Sequence, residues 1–112
     1  NEPMAWGGYL PVEKVYSFDP APDTLLAKAK QHIIGAQANL WTEYIPYTQQ
    51  AEYMLLPRMA AMAEVQWMPV SQKDYQAFVK RLYRLAKVYD HEGYIYALHL
   101  WPERYHFNRN RW

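Results

Sequence analysis

The spacing of apolar residues changes repeatedly along this chain, and each change marks a different element. Between Pro11 and Phe18, Val12, Val15 and Tyr16 recur at helical spacing, and proline suits a first helical turn, so a short helix is predicted there. Asp19-Pro20-Ala21-Pro22 ends it, because a residue before proline is pushed out of the helical region. Thr24 to Lys30 supports one or two further helical turns, with Asp23 or Thr24 as the cap. From Ile33 the period becomes two. Ile34, Ala36, Ala38 and Leu40 fall on one face and Ile33, Gly35, Gln37, Asn39 and Trp41 on the other, with Glu43 next in step, so 33–41 is predicted as the one strand.

Helical spacing returns over 48–68, through Gln49, Ala51, Glu52, Met54 and Leu55 and then Met59 to Met68. Apolar residues lie almost all round it, the mark of a helix buried on several sides. Pro57 implies a kink or two abutting helices, and Pro69 closes the run. The clearest amphipathic helix is 72–89, with Tyr75, Phe78, Val79, Leu82, Leu85, Ala86 and Tyr89 on one face and Lys73, Lys80, Arg81, Arg84 and Lys87 elsewhere. Ser71 is its expected N-cap, Asp74 a variant of the capping box, Val70 a staple onto Tyr75, and Gly93 its stop signal. From Tyr94 to Trp112 a short apolar run gives way to an Arg- and Asn-rich stretch, to which no element is assigned.

At 112 residues, 51% hydrophobic and 21% charged, the chain has a globular composition and fits at most one domain. With 12 Lys+Arg against 11 Asp+Glu the net charge is +1, which gives no electrostatic case for nucleic acid or an anionic membrane. No apolar run approaches the roughly 18 to 20 residues needed to span a bilayer. The lack of cysteine excludes disulfides, thiolate metal sites and cysteine nucleophiles. Eleven tyrosines, five tryptophans and three phenylalanines raise the question of a ring-stacking ligand. The chain opens Asn1-Glu2-Pro3, with no initiator Met, basic n-region or apolar h-region, and is expected to be a piece of a longer protein.

The residues that carry chemistry sit at the end of the predicted strand, where Trp41 and Glu43 would project together. Taken alone, they read more readily as an aromatic at a strand end and a helix-entry carboxylate. Arg58 and Glu64 lie in the buried helix and read as a structural ion pair or network. Gln37 and Asn39 read as interior hydrogen-bonding residues, and Met54, Met59, Met62 and Met68 as core filler. His32, His91, His99 and His106 form no metal signature, since Pro102 breaks any helix that would align His99, Glu103 and His106. Arg104, Arg109 and Arg111 with Tyr105, Phe107 and Trp112 read as a solvated tail rather than a nucleic-acid patch. Glu13 and Asp19 could imitate a catalytic carboxylate pair, and no nucleophile elbow, P-loop or dinucleotide fingerprint is present.

Gly35-Ala36-Gln37-Ala38-Asn39-Leu40-Trp41-Thr42-Glu43 resembles the last barrel strand of the β-N-acetylhexosaminidases, glycoside hydrolase family 20. Val15-Tyr16-Ser17-Phe18-Asp19-Pro20 resembles the segment before that strand, Tyr53-Met54 with Leu56 through Trp67 the helix after it, and Lys73 through Tyr94 the closing helix. The resemblance implies an α/β parent with a (β/α)8 TIM barrel, of which 1–112 is the C-terminal segment, mostly helical with one strand and with 103–112 as a tail. It implies a glycosidase that removes terminal non-reducing β-linked N-acetylglucosamine or N-acetylgalactosamine from glycans, without a cofactor. The substrate's own acetamido oxygen would attack the anomeric carbon, an exception to the two-carboxylate scheme. The family's Asp-Glu pair belongs to an upstream strand, so no catalytic residue is expected in this chain. By the same resemblance Trp41 forms the apolar wall under the sugar, Glu43 accepts hydrogen bonds from its 4- and 6-hydroxyls, and Glu13 and Asp19 have no catalytic role. A periplasmic, cell-surface or secreted location is likewise implied.

A barrel of this type takes about 250 residues, so the 112-residue segment is expected to have no hydrolase activity alone. With both edges of 33–41 unpaired, it either self-associates or folds as a helical cluster with one strand. Two other classes stay open: a non-catalytic carbohydrate-binding or scaffold relative that kept Trp41 and Glu43, and a small helical interaction domain.

Overall fold

The computed structural model describes residues 3–5 and 7–104. Its longer helices follow the apolar periods. α1 (Val12–Tyr16) starts behind Pro11 and stops before the Asp19-Pro20 break. α2 (Ala27–Lys30) is a single turn that begins at Leu26 without a side-chain cap. Asp23, expected as a cap, instead accepts a 2.8 Å hydrogen bond from Lys30 Nζ. The long run over 48–68 divides at Pro57 into α3 (Thr48–Leu55) and α4 (Arg58–Trp67), joined through a cis Leu56–Pro57 peptide.

Pro69 leads into a 3-10 turn (Val70–Gln72), and this turn takes the place where Ser71 was expected to cap a helix. α5 (Tyr75–Glu92) therefore starts at Asp74, whose carboxylate accepts the Ala77 N–H at 3.0 Å. At its other end Gly93 adopts φ +80°, a left-handed conformation open to glycine and costly for other residues. The N–H groups of Gly93 and Tyr94 then close on the carbonyls of Asp90 and Tyr89.

No strand occurs among the described residues, which corrects the prediction for 33–41. A strand exists only by pairing its backbone with a neighbour. Residues 34–41 make no backbone–backbone hydrogen bond among the described residues. Ile34, predicted on the apolar face, is fully exposed. The Cα radius of gyration is 15.6 Å, against about 13 Å for a compact chain of this length. A barrel is not formed by these residues alone.

The core sits where no element was assigned. Beyond Gly93 the chain runs extended between α3 and α5, with Ile95, Tyr96, Ala97 and Leu98 essentially excluded from solvent. Their side chains alternate in the period-two manner of extended backbone. Tyr96 and Leu98 join Val12, Tyr16, Phe78, Leu82, Ala86 and Trp101 in the main cluster, and Ile95 and Ala97 meet Tyr53 in the second. The buried backbone is satisfied without a sheet: the Ile95 N–H donates to Glu52 Oε2 at 3.0 Å and the Ala97 N–H to the Leu56 carbonyl at 2.8 Å.

Two polar networks lock this core. Glu64 on α4 accepts from the Tyr16 hydroxyl at 3.0 Å and pairs with Arg81 on α5, while the Tyr16 oxygen accepts the Asp74 N–H at 3.1 Å. Asp90 accepts from the Tyr96 hydroxyl at 2.8 Å and pairs with Arg104, whose guanidinium lies over the Tyr83 ring. Arg104 belongs to a 3-10 turn (Pro102–Arg104) and is buried, so the expected tail 103–112 begins inside the packed structure. Residues 105–112 lie outside the described residues.

The two ion pairs differ in burial, and their removal should differ accordingly. Asp90→Ala strands a buried guanidinium and should lower the unfolding free energy of the intact protein's domain by about 3 kcal/mol. Arg81→Ala breaks a half-exposed pair and should cost less than about 1 kcal/mol in denaturant titration. Burial, and next the bond to Asp90, push the Tyr96 phenol up to about 12. Its folded value lies above the unfolded one, so its contribution is complete below about pH 10 and lost as pH rises toward 12. Melting curves over that interval should fall less steeply for Tyr96→Phe than for the unsubstituted protein.

Candidate functional site

An open groove of about 460 Å³ runs between the 37–41 arm, α1 and the junction of α3 with α4. Its walls are mainly apolar, with Val15, Phe18, Ile45, Met54, Met59 and Met62 among them. Gln37 and Asn39 line it together with Ala38 and Leu40, so the two predicted faces of the strand are not separated. Of the methionines expected as core filler, Met54 packs against the second cluster and, with Met59 and Met62, also borders this groove.

Trp41 lines the groove and keeps 64% of its surface exposed. Glu43 lies two residues on, in a turn closed by the Ile45 N–H to the Thr42 carbonyl at 3.0 Å. It is exposed, is absent from the groove wall, and has no hydrogen-bond or ion-pair partner among the described residues. The backbone at Glu43 thus turns rather than continuing the extended path assumed for a Trp-x-Glu pair. The turn itself is held firmly. Ile45 reaches into the groove, Pro46 fixes the next φ, and Gln50 Nε2 donates to the Tyr44 carbonyl at 2.7 Å.

Arg58 forms the floor at the helix junction. Its Nε donates to the Leu10 carbonyl at 2.6 Å, and one terminal nitrogen donates to the Tyr53 and Met54 carbonyls at 3.1 Å each. The last carbonyls of a helix lack intrahelical partners, and a cation there also meets the negative end of the helix dipole. The expected structural role stands, with backbone carbonyls rather than Glu64 as the partners. Sequence reading placed Arg58 in a network but missed the clamp, whose only linear signal is an arginine just after the proline that ends α3.

The histidines bring no metal site together: among the described residues no group of three His, Asp or Glu side chains could hold an ion. His99 Nε2 accepts the Val12 N–H at 3.2 Å, and its ring meets Tyr9 edge-on at 5.6 Å. His106 lies outside the described residues. Among those described, no helix is long and apolar enough to cross a membrane.

Comparison with known proteins adds a family to this geometry. Residues 1–70 match glycosyl hydrolase family 20, catalytic domain, a span that includes Trp41 and Glu43. A beta-hexosaminidase of Porphyromonas gingivalis is 41% identical over 103 residues, covering 92% of this chain and 13% of that protein. A beta-N-acetylhexosaminidase of Cellulomonas fimi is 32% identical over 92 residues, 81% of this chain and 18% of the relative. A beta-hexosaminidase of Akkermansia muciniphila is 31% identical over 80 residues, 69% of this chain and 15% of the relative. The chain therefore spans less than a fifth of the curated relatives it matches.

The Arg58 clamp should not tolerate the conservative replacement. A lysine ammonium cannot span three carbonyls as a planar guanidinium does, so Arg58→Lys should destabilise the domain by about 2 kcal/mol, read from denaturant midpoints.

Proposed function

The chain belongs to glycosyl hydrolase family 20, and on that premise we propose that the intact protein is a β-N-acetylhexosaminidase. It hydrolyses terminal β-linked N-acetylglucosamine or N-acetylgalactosamine from glycans, within a (β/α)8 barrel in which 33–41 is the final strand. These residues supply part of the sugar subsite and no catalytic acid; the Asp-Glu pair is assigned to the part of the domain preceding them. The observation that carries this reading is the 41% identity to a named beta-hexosaminidase across 92% of the chain.

Physical chemistry supports the roles given to Trp41 and Glu43. A pyranose presents axial C–H groups on its faces, and an exposed indole offers them dispersion contact and shape selection. A carboxylate such as Glu43, with no protein partner among the described residues, can accept two hydroxyl hydrogen bonds in short, charge-assisted geometry. In the whole barrel, neighbouring strands would pair with 33–41 and draw its end straight, which brings both groups toward one sugar ring.

Kinetics of the intact protein on an aryl β-N-acetylglucosaminide tests this. Glu43→Ala should lower kcat/KM about 10- to 100-fold, the loss of hydrogen bonds to a charged group, and Trp41→Ala should do likewise. An intact protein that binds the sugar without turning it over would favour the carbohydrate-binding reading. Activity of the 112-residue segment alone would overturn the upstream placement of the catalytic pair.

A further inference from the structure

The direction of the Glu43 carboxylate is set by the backbone around it. Glu43 and Tyr44 are the two central residues of the turn that the Ile45 N–H closes on the Thr42 carbonyl at 3.0 Å. Trp41 before the turn and Ile45 at its end both line the groove, so the turn is tethered on each side. The carboxylate itself has no hydrogen-bond or ion-pair partner among the described residues. Its placing therefore depends on the peptide units that carry it.

One side chain acts on those units. Gln50 Nε2 donates to the Tyr44 carbonyl at 2.7 Å. That carbonyl and the Ile45 N–H belong to one peptide unit, which is planar and trans, with its C=O and N–H pointing in opposite directions. A grip on the Tyr44 oxygen thus aims the N–H that closes the turn over Glu43. Without it, this peptide can rotate about the two single bonds that flank it, and the closing bond weakens with it.

Gln50 is placed for this by α3. It is the third residue of the helix, a position from which a Gln side chain commonly reaches back to the N-cap N–H. Here it passes the N-cap, Tyr47, and reaches Tyr44, three residues earlier. Its own N–H is bonded to the Tyr47 carbonyl at 3.1 Å, so the side chain starts from a fixed backbone. The whole arrangement lies within 42–50. Pairing of 33–41 with other strands acts on the chain up to Trp41 and leaves the turn to α3.

Resting on the hexosaminidase reading, we infer that Gln50 is a positioning residue for Glu43. By holding the Tyr44–Ile45 peptide it keeps the carboxylate in register with the 4-hydroxyl of the sugar, and so sharpens selection for sugars that carry one. It needs no contact with the substrate, because its effect passes through Glu43.

The test compares kcat/KM of the intact protein for an aryl β-N-acetylglucosaminide with that for the 4-deoxy analogue. Their ratio, the 4-hydroxyl preference, cancels the fraction of folded enzyme. Gln50→Leu and Gln50→Glu remove the donor at nearly constant size, and each should lower the preference about fivefold, the effect of one lost hydrogen bond. Where either does not fold, Gln50→Ala takes its place, with the same expected loss. In the Glu43→Ala background the same substitutions should change the preference by less than about twofold. A preference unchanged by the Gln50 substitutions overturns this inference alone, since Glu43 then keeps its place without the grip. An equal loss in the Glu43→Ala background also overturns it alone, since Gln50 then acts by another route. A preference that survives Glu43→Ala itself overturns the role given to Glu43 and this inference with it. Failure of the unsubstituted protein to hydrolyse either compound overturns the hexosaminidase reading as a whole.

Discussion

One buried guanidinium holds the described part of this molecule together. Arg58 meets the segment before α1 through the Leu10 carbonyl and closes the end of α3 through the Tyr53 and Met54 carbonyls, from the first residue of α4. It adds a polar junction to segments that the main cluster and the Tyr16–Glu64 bond also bring together. A buried arginine would be expensive without partners, and carbonyls at a helix end would be nearly as expensive without donors. Each need is met by the other. The groove next to the arm inherits its shape from this junction, since Leu10, Met54, Leu55 and Arg58 itself all border it.

The second organising element is the extended run 95–98, which does the work of a central strand without a sheet. It separates two hydrophobic clusters, sends alternate side chains to each, and finds its hydrogen bonds on Glu52 and Leu56. Asp90 and Arg104 then tie the chain beyond it back to α5. The arm 33–41 has no such support. Its backbone is unpaired and its apolar residues meet water or the groove. Its period-two spacing is that of a strand, but among the described residues its backbone has no neighbour to pair with.

Helices were legible because their signal is local. Pro11, Pro57, Pro69 and Gly93 punctuate the chain at or next to the boundaries of α1, α3, α4 and α5. The cap of α5 was misassigned by three residues because the 3-10 turn after Pro69 satisfies backbone groups that a helix would otherwise claim. The core role of 95–98 was hidden, since four apolar residues without a partner pattern look alike on a strand, a buried coil or a helix end. Over 33–41 the period of two is a strand's pattern, but pairing depends on residues elsewhere in the domain. At the candidate site, Trp41 and Glu43 stand out by resemblance, whereas the Arg58 clamp shows only in the folded chain.

The most direct measurement is a crystal structure of the intact protein with N-acetylglucosamine bound. The account predicts the pyranose lying against the Trp41 indole, with Glu43 carboxylate oxygens about 2.7 Å from two of its hydroxyls. A sugar bound elsewhere, with Trp41 and Glu43 packed against protein instead, would contradict it.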